Sequence, residues 1–168
     1  MDINIGDTIV YGGTQLCRVD SKEDKCFDGM THEVYIKLVP VDEPGSSYFV
    51  REDKFSERTR PLLTKEQVLS VIDSMPRVEA EWVQNKNERR TRFAEILKGD
   101  DYSLILCMMK GLYEEKGRRS NEGKRLMSAD ERAFSTARQL LRQEFSTVLG
   151  IPEDSVEEFI KQRLEGRG

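Results

Sequence analysis

The sequence predicts an α+β fold with its β-structure first, and three observations carry that reading. Over residues 1–60, short runs rich in β-branched and aromatic residues alternate with glycine-containing turns. Arg60-Pro61-Leu62-Leu63 then interrupts the pattern, because proline disfavours a continuing strand and restricts the residue before it. Beyond that break the apolar residues recur at helical spacing between capping signals. The expected organisation is a β-domain over 1–60 and a helical domain over 61–168.

Asp7-Thr8-Ile9-Val10-Tyr11 is the first predicted strand, followed by the turn residues Gly12-Gly13. Leu16-Cys17-Arg18-Val19-Asp20 is the second, and Asp28-Gly29 marks the next turn. His32 to Val39 is the third and Ser47 to Arg51 the last, with Pro44-Gly45 between them. Short strands at this spacing suit a small Tudor- or SH3-like barrel, whose edges are suited to binding other proteins. In the second half, Thr64-Lys65-Glu66-Gln67 is a capping box that opens a helix to about Ser74, ended by Pro76. A helix over about 85–98 is closed by Gly99. The next runs from Asp101 to about Lys116, with Ile105, Met108, Met109 and Leu112 on one face. Ser128-Ala129-Asp130-Glu131 reads as a second capping box, starting a helix to Leu149 whose inner stripe is Phe134, Ala137, Leu141, Phe145 and Val148. Gly150 stops it, and Pro152 opens a last helix to about Leu164.

A chain of 168 residues can bury a real core as one domain or two small ones. With 35% charged and 37% hydrophobic residues it reads as soluble and globular. The start, Met1-Asp2-Ile3-Asn4, lacks the basic and apolar regions of a leader, and the longest apolar run, 104–109, is too short to cross a bilayer. Cys17, Cys26 and Cys107 are odd in number and have no metal-ligand spacing, which points to a reduced, cytoplasmic protein without a metal site. The chemistry of an enzyme is missing as well. The single histidine, His32, falls on a predicted strand without a nucleophile elbow. The acidic pairs Glu114-Glu115 and Glu157-Glu158 read as solvated helix surface. Gly117 to Lys124 mimics a phosphate loop, but the glycines are one residue too far apart, Arg125 replaces the magnesium-holding Ser/Thr, and no strand precedes it. That stretch reads as a basic, flexible loop between helices. No cofactor or small-molecule ligand is expected.

Charge is unevenly distributed. Residues 1–60 hold eight Lys/Arg against twelve Asp/Glu, while residues 86–125 hold eleven against seven. Because salt confines electrostatic contacts to about 8–10 Å, a local basic stretch can hold phosphates although the whole chain carries −4. The only tryptophan, Trp82, lies just before that stretch, in the polar run Arg77-Val78-Glu79-Ala80-Glu81-Trp82-Val83-Gln84-Asn85, with Lys86, Arg89, Arg90 and Arg92 following. Cations that grip phosphates beside a flat ring that stacks on or wedges against a base make a nucleic-acid contact. The structural alternative is a buried ring capping the apolar face of the next helix. Both readings stand at this point. Lys86, Arg89, Arg90, Lys124 and Arg125 are the candidate phosphate contacts.

These segments, taken in order, resemble the CarD family of bacterial transcription regulators. The likeness rests on Ile5-Gly6-Asp7-Thr8-Ile9-Val10-Tyr11, Asp28-Gly29 before Val34-Tyr35-Ile36, Arg60-Pro61-Leu62-Leu63, Trp82, Leu97-Lys98-Gly99-Asp100, and the 128–144 helix with Ala137-Arg138-Gln139-Leu140-Leu141. It covers most of the chain. The N-terminal part also resembles the polymerase-interacting module of the transcription-repair coupling factor, without its helicase motifs. The resemblance implies an N-terminal Tudor-like module that binds the β subunit of RNA polymerase, for which Lys25, Phe49 and Arg51 are the candidate contacts. It also implies a helical half on promoter DNA, with little base-specific readout, whose tryptophan wedges into the minor groove at the upstream edge of the melted bubble. The chain departs from the family pattern in the turn after the first strand and in lacking a proline after Val50. A rival reading is a protein-interaction adaptor whose barrel binds another partner and whose helices do not touch DNA.

Overall fold

Thr8–Tyr11 (β1) and Gln15–Lys25 (β2) form a hairpin, and Glu33–Pro40 (β3) and Tyr48–Arg51 (β4) extend it. The computed structural model describes residues 3–26 and 28–167; Met1 and Asp2 of the start discussed above lie outside the described residues. The architecture is α+β: an antiparallel five-stranded sheet, then helices. The chain divides into two units, Met1–Leu62 and Leu63–Gly168.

In the first unit the strand order is β4-β3-β2-β1-β5, with β4 and β5 at the two edges. The ladder is open and does not close on itself. Burial alternates along β3, with Ile36 and Leu38 inside and Tyr35 and Lys37 on the other face, as a half-buried antiparallel strand requires. Ile36 and Leu38 pack with Ile9, Cys17, Val19 and Val50, and Phe55 of the short helix α1 (Phe55–Arg58) joins them at 2% exposure.

Three features depart from expectation. β2 continues to Lys25 through the polar run after Asp20, because β3 supplies pairing partners that hydrophobic alternation does not reveal; the register shifts between Val19 and Ser21. His32 stands just before β3 and is exposed, with Nδ1 3.3 Å from Asp24 Oδ1. Pro61 does not end the β-structure: Thr59–Pro61 is β5, paired with β1 through Ile9↔Pro61. An edge strand tolerates proline because its missing N–H can face away from the ladder.

In the second unit α2 (Lys65–Ser74) begins on the expected capping box. Gln67 N–H donates to Thr64 Oγ1 at 3.1 Å, and Thr64 N–H donates back to Gln67 Oε1 at 2.8 Å. A 3₁₀ turn, Met75–Arg77, takes in Pro76. Then come α3 (Lys86–Lys98), α4 (Tyr102–Asn121), α5 (Ser128–Leu149) and, after the turn Glu153–Ser155, α6 (Val156–Arg167). The core of this unit is built from side chains such as Ile72, Ile105, Met108, Leu112, Leu140 and Phe145, all at 1% exposure or less. Each stabilises the fold by about 1.5–3 kcal/mol relative to an exposed side chain.

Two expectations are corrected here. The stretch expected as a flexible loop is helical as far as Asn121. Arg118 and Arg119 pair back to Glu115 within the last turns of α4, and the helix then closes at Gly123, whose φ is +73°. Gly123 N–H bonds Ser120 O and Lys124 N–H bonds Arg119 O, the paired C-terminal bonds that a left-handed residue allows. The second capping box does not form: Met127 is the N-cap of α5, without a side-chain bond, and Ser128 is already helical. Of the expected α5 stripe, Ala137, Leu141 and Phe145 are buried, and Phe134 and Val148 half-buried. Leu140 and Glu144 are buried as well. The Glu144 carboxylate accepts from Tyr102 Oη at 2.8 Å and from Leu63 N–H at 2.9 Å, which is what makes its burial tolerable. Among the described residues no helix is long and apolar enough to cross a membrane.

Candidate nucleic-acid interface

Trp82 lies in an irregular segment, residues 78–84, between the 3₁₀ turn and α3. Such a segment has backbone groups to satisfy, and α4 and α3 supply the partners. Glu81 N–H donates to Cys107 O at 3.1 Å, and Lys110 Nζ donates to Val78 O at 2.6 Å. Gly111 explains the closeness of the approach: a Cβ there would stand 2.0 Å from Glu81 O. From α3, Arg92 Nε donates to Glu81 Oε1 at 2.6 Å.

Arg89 is the main fastening. Its Nε and Nη2 form a fork on the Asp130 carboxylate at 3.0 and 2.8 Å, and its Nη1 donates to Val83 O at 2.9 Å and Gln84 O at 3.2 Å. Its guanidinium carbon lies 4.4 Å from the centre of the Trp82 ring, within the range of a cation–π contact. Arg89 is 4% exposed. Its fork is filled by protein, so its geometry is that of a residue that positions Trp82. The role of a phosphate contact, expected from its place in a basic run, calls for an exposed cation.

Trp82 itself is half-buried, between the two readings left open above. A cleft of about 320 Å³ opens beside it, lined by Gln84, Lys86, Arg118, Arg119, Glu115 and Met127 in addition to Arg89 and Asp130. Lys86 and Arg90 are exposed. Asn85 caps α3, its Oδ1 accepting from Asn87 and Glu88 N–H at 3.0 Å each, which makes Lys86 the first helical residue. A cation there opposes the helix dipole by about 0.3–1 kcal/mol. Lys86 is therefore not placed there to stabilise the helix.

Lys124 and Arg125 are exposed and line a second, larger cleft of about 850 Å³ on the same unit, with Lys116, Arg132 and three serines, Ser120, Ser128 and Ser135. Arg119 Nε donates to Arg125 O at 2.6 Å, tying the α4–α5 turn to the Trp82 cleft. Arg118, Arg119 and Arg132 also belong to this basic surface and were not among the candidates named from sequence; the first two lie in α4, where a loop was expected. Sequence reasoning missed the inward turn of Arg89, although a signal was present: Arg89, Phe93 and Ile96 share one helical face and are all buried.

In the first unit Lys25, Phe49 and Arg51 come together on one face of three neighbouring strands, as the pairs Lys25↔Glu33, Lys37↔Phe49 and Tyr35↔Arg51 show. Lys25 Nζ lies 4.3 Å from the centre of the Phe49 ring, and Phe49 is 39% exposed. Arg51 pairs with Glu33 at 3.1 Å and Asp53 at 3.0 Å. No group of three or more His, Cys, Asp or Glu among the described residues could hold a metal ion. No family model matches the chain, and no curated protein matches it.

Proposed function

We propose that this chain is a non-enzymatic regulator of transcription, acting at an initiating RNA polymerase without a cofactor. Its N-terminal unit, on this reading a Tudor/SH3-like module, binds the β subunit through the exposed face that carries Lys25, Phe49 and Arg51. Its helical unit rests on promoter DNA with little base-specific readout. Lys86, Arg90, Lys124 and Arg125 grip phosphates, and Trp82 wedges at the upstream edge of the bubble, slowing its collapse. One observation supports this most: a half-buried tryptophan is held on an irregular segment by hydrogen bonds from α3 and α4, with exposed cations around it.

Capture from the lysate of its own cell is the direct test, and polymerase should come with the full chain. Trp82→Ala should leave that capture intact and shorten the lifetime of the open complex by roughly 5- to 150-fold, the equivalent of one stacking contact of about 1–3 kcal/mol. Capture of a different partner, with no polymerase and no binding to forked DNA, would favour the adaptor.

A further inference from the structure

Arg118 and Arg119, near the end of α4, are paired with Glu115, but the cations around them are not. Among the described residues Lys116, Arg125 and Arg132 have no carboxylate partner, and Lys124 has only the exposed Glu122, at 3.9 Å. These four side chains line the cleft of about 850 Å³ from three sides: Lys116 from α4, Lys124 and Arg125 from the turn after it, and Arg132 from α5. That volume is in the range of small-molecule sites. Lys116 Nζ already leans toward α5, 5.9 Å from the centre of the Phe134 ring. The lining holds one carboxylate, Glu131, which leaves a surplus of three positive charges. Ser120, Ser128 and Ser135 add hydroxyl donors between the cations. The one apolar side chain is Leu126, so the lining offers no aromatic surface on which a base would stack.

We propose that this cleft binds a small anion of linked phosphate groups, held by Lys116, Lys124, Arg125 and Arg132 and recognised by its phosphates alone. The α5 wall from Ser128 to Ser135 is about 10 Å long by helical rise, which one phosphate cannot bridge. A duplex presents its phosphates singly along a rod, and cannot follow a lining that closes on three sides. A small anion can meet all four cations at once. Gathering like charges with no anion between them costs stability, and the ligand removes that cost. The inference goes beyond the functional reading above and does not depend on it. That reading uses Lys124 and Arg125 on DNA, whereas Lys116 and Arg132 have no part in it.

Tripolyphosphate titrated calorimetrically into the full-length protein, in magnesium-free buffer, should bind saturably at one per chain and raise the melting temperature. Orthophosphate should bind at least about 10-fold more weakly, because it reaches fewer of the cations. Lys116→Ala and Arg132→Ala, both at exposed positions, should weaken tripolyphosphate binding about 10-fold each without lowering the melting temperature of the free protein. Glu131→Gln should tighten binding about 3-fold, a gain that misfolding cannot produce. Lys86→Ala, at the other cleft, should leave binding within about 2-fold of the parent. Equal losses in Lys86→Ala and Arg132→Ala would mean that the anion reads only overall charge, and would overturn the site. So would orthophosphate binding as tightly as tripolyphosphate. Adenosine triphosphate binding more than about 10-fold tighter than tripolyphosphate would show a nucleoside being read, and would overturn recognition by phosphates alone. If tripolyphosphate does not bind saturably while Lys116→Ala and Arg132→Ala weaken duplex binding, the cleft belongs to the DNA face: the proposal falls and the regulator reading stands. If neither tripolyphosphate nor DNA binds, both fall.

Discussion

Arg89 and Lys86 lie on one helix, three positions apart, and have opposite fates. Arg89 faces the core with its donors filled, and Lys86 stands in solvent at the end of the helix where a positive charge is least favoured. Removing one partner of a buried pair strands the other, so Asp130→Ala should cost about 3–5 kcal/mol in urea unfolding. Lys86→Ala should change stability by no more than about 0.5 kcal/mol, yet reduce the salt-dependence slope of duplex binding by about 0.9 if Lys86 holds a phosphate. An unchanged slope would return Lys86 to a solvated helix face. Cysteines divide in the same way. Burial, and secondarily the charge of Asp42, push the Cys17 thiol up to about 11, whereas Cys26 is exposed. The thiolate is the reactive form, and at pH 8 about a thousandth of a thiol with that pKa is ionised. A thiol reagent at pH 8 should therefore modify Cys26 in the folded protein and reach Cys17 only on unfolding; mass spectrometry after a short pulse checks this.

At the scale of elements, α4 does more than its apolar face suggests. It carries the mount of Trp82 through Cys107 O, Lys110 and Gly111, then extends past Gly117 to supply Arg118 and Arg119 to the cleft. In a solvent-exposed helix interior Gly→Ala stabilises by about 1 kcal/mol. At Gly111 the sign should reverse, because the new methyl would meet Glu81 O at 2.0 Å and the segment would have to move. Gly111→Ala should lower the melting temperature, by an amount typical of overpacking at about 1–3 kcal/mol, and shift Trp82 emission to the red as the ring leaves its half-buried seat. A variant that melts higher with unchanged emission would show that α4 does not clamp the segment. Much of this level could be read from sequence. The Thr64 capping box, the Asn85 start and Gly99 end of α3, and the alternation of β3 are local signals, and the structure has them. What could not be read depends on partners distant in the chain. The polar end of β2 is a strand only because β3 pairs with it, β5 accepts Pro61 only because it lies at an edge, and Arg89 turns inward because Asp130, on another helix, receives it. The reach of α4 was hidden for a different reason: Gly117 looks like a stop, but the left-handed residue that ends the helix is Gly123.

At the scale of the whole molecule, charge and architecture divide alike. The acidic balance belongs to residues 1–60, in the unit built on the sheet, and the basic stretch 86–125 belongs to the helical unit that presents Trp82. On the proposed reading the two halves carry separable activities. Residues 1–62 should capture the polymerase β subunit in the absence of DNA. Residues 63–168 should bind forked DNA without polymerase, weakly, and with affinity that falls steeply as salt rises, because a few phosphate contacts supply most of it. The position of the cut matters. Ending the first fragment at residue 60 removes Pro61, which β5 pairs with Ile9, so that fragment should melt below the one ending at Leu62. It would lose polymerase through instability alone, and the comparison is meaningful only for the longer fragment. If the fragment 1–62 folds by circular dichroism yet captures no polymerase, or if each fragment shows the activity expected of the other, the division of labour fails. Should only the intact chain bind either partner, the activities are inseparable and the division of labour fails in the same way.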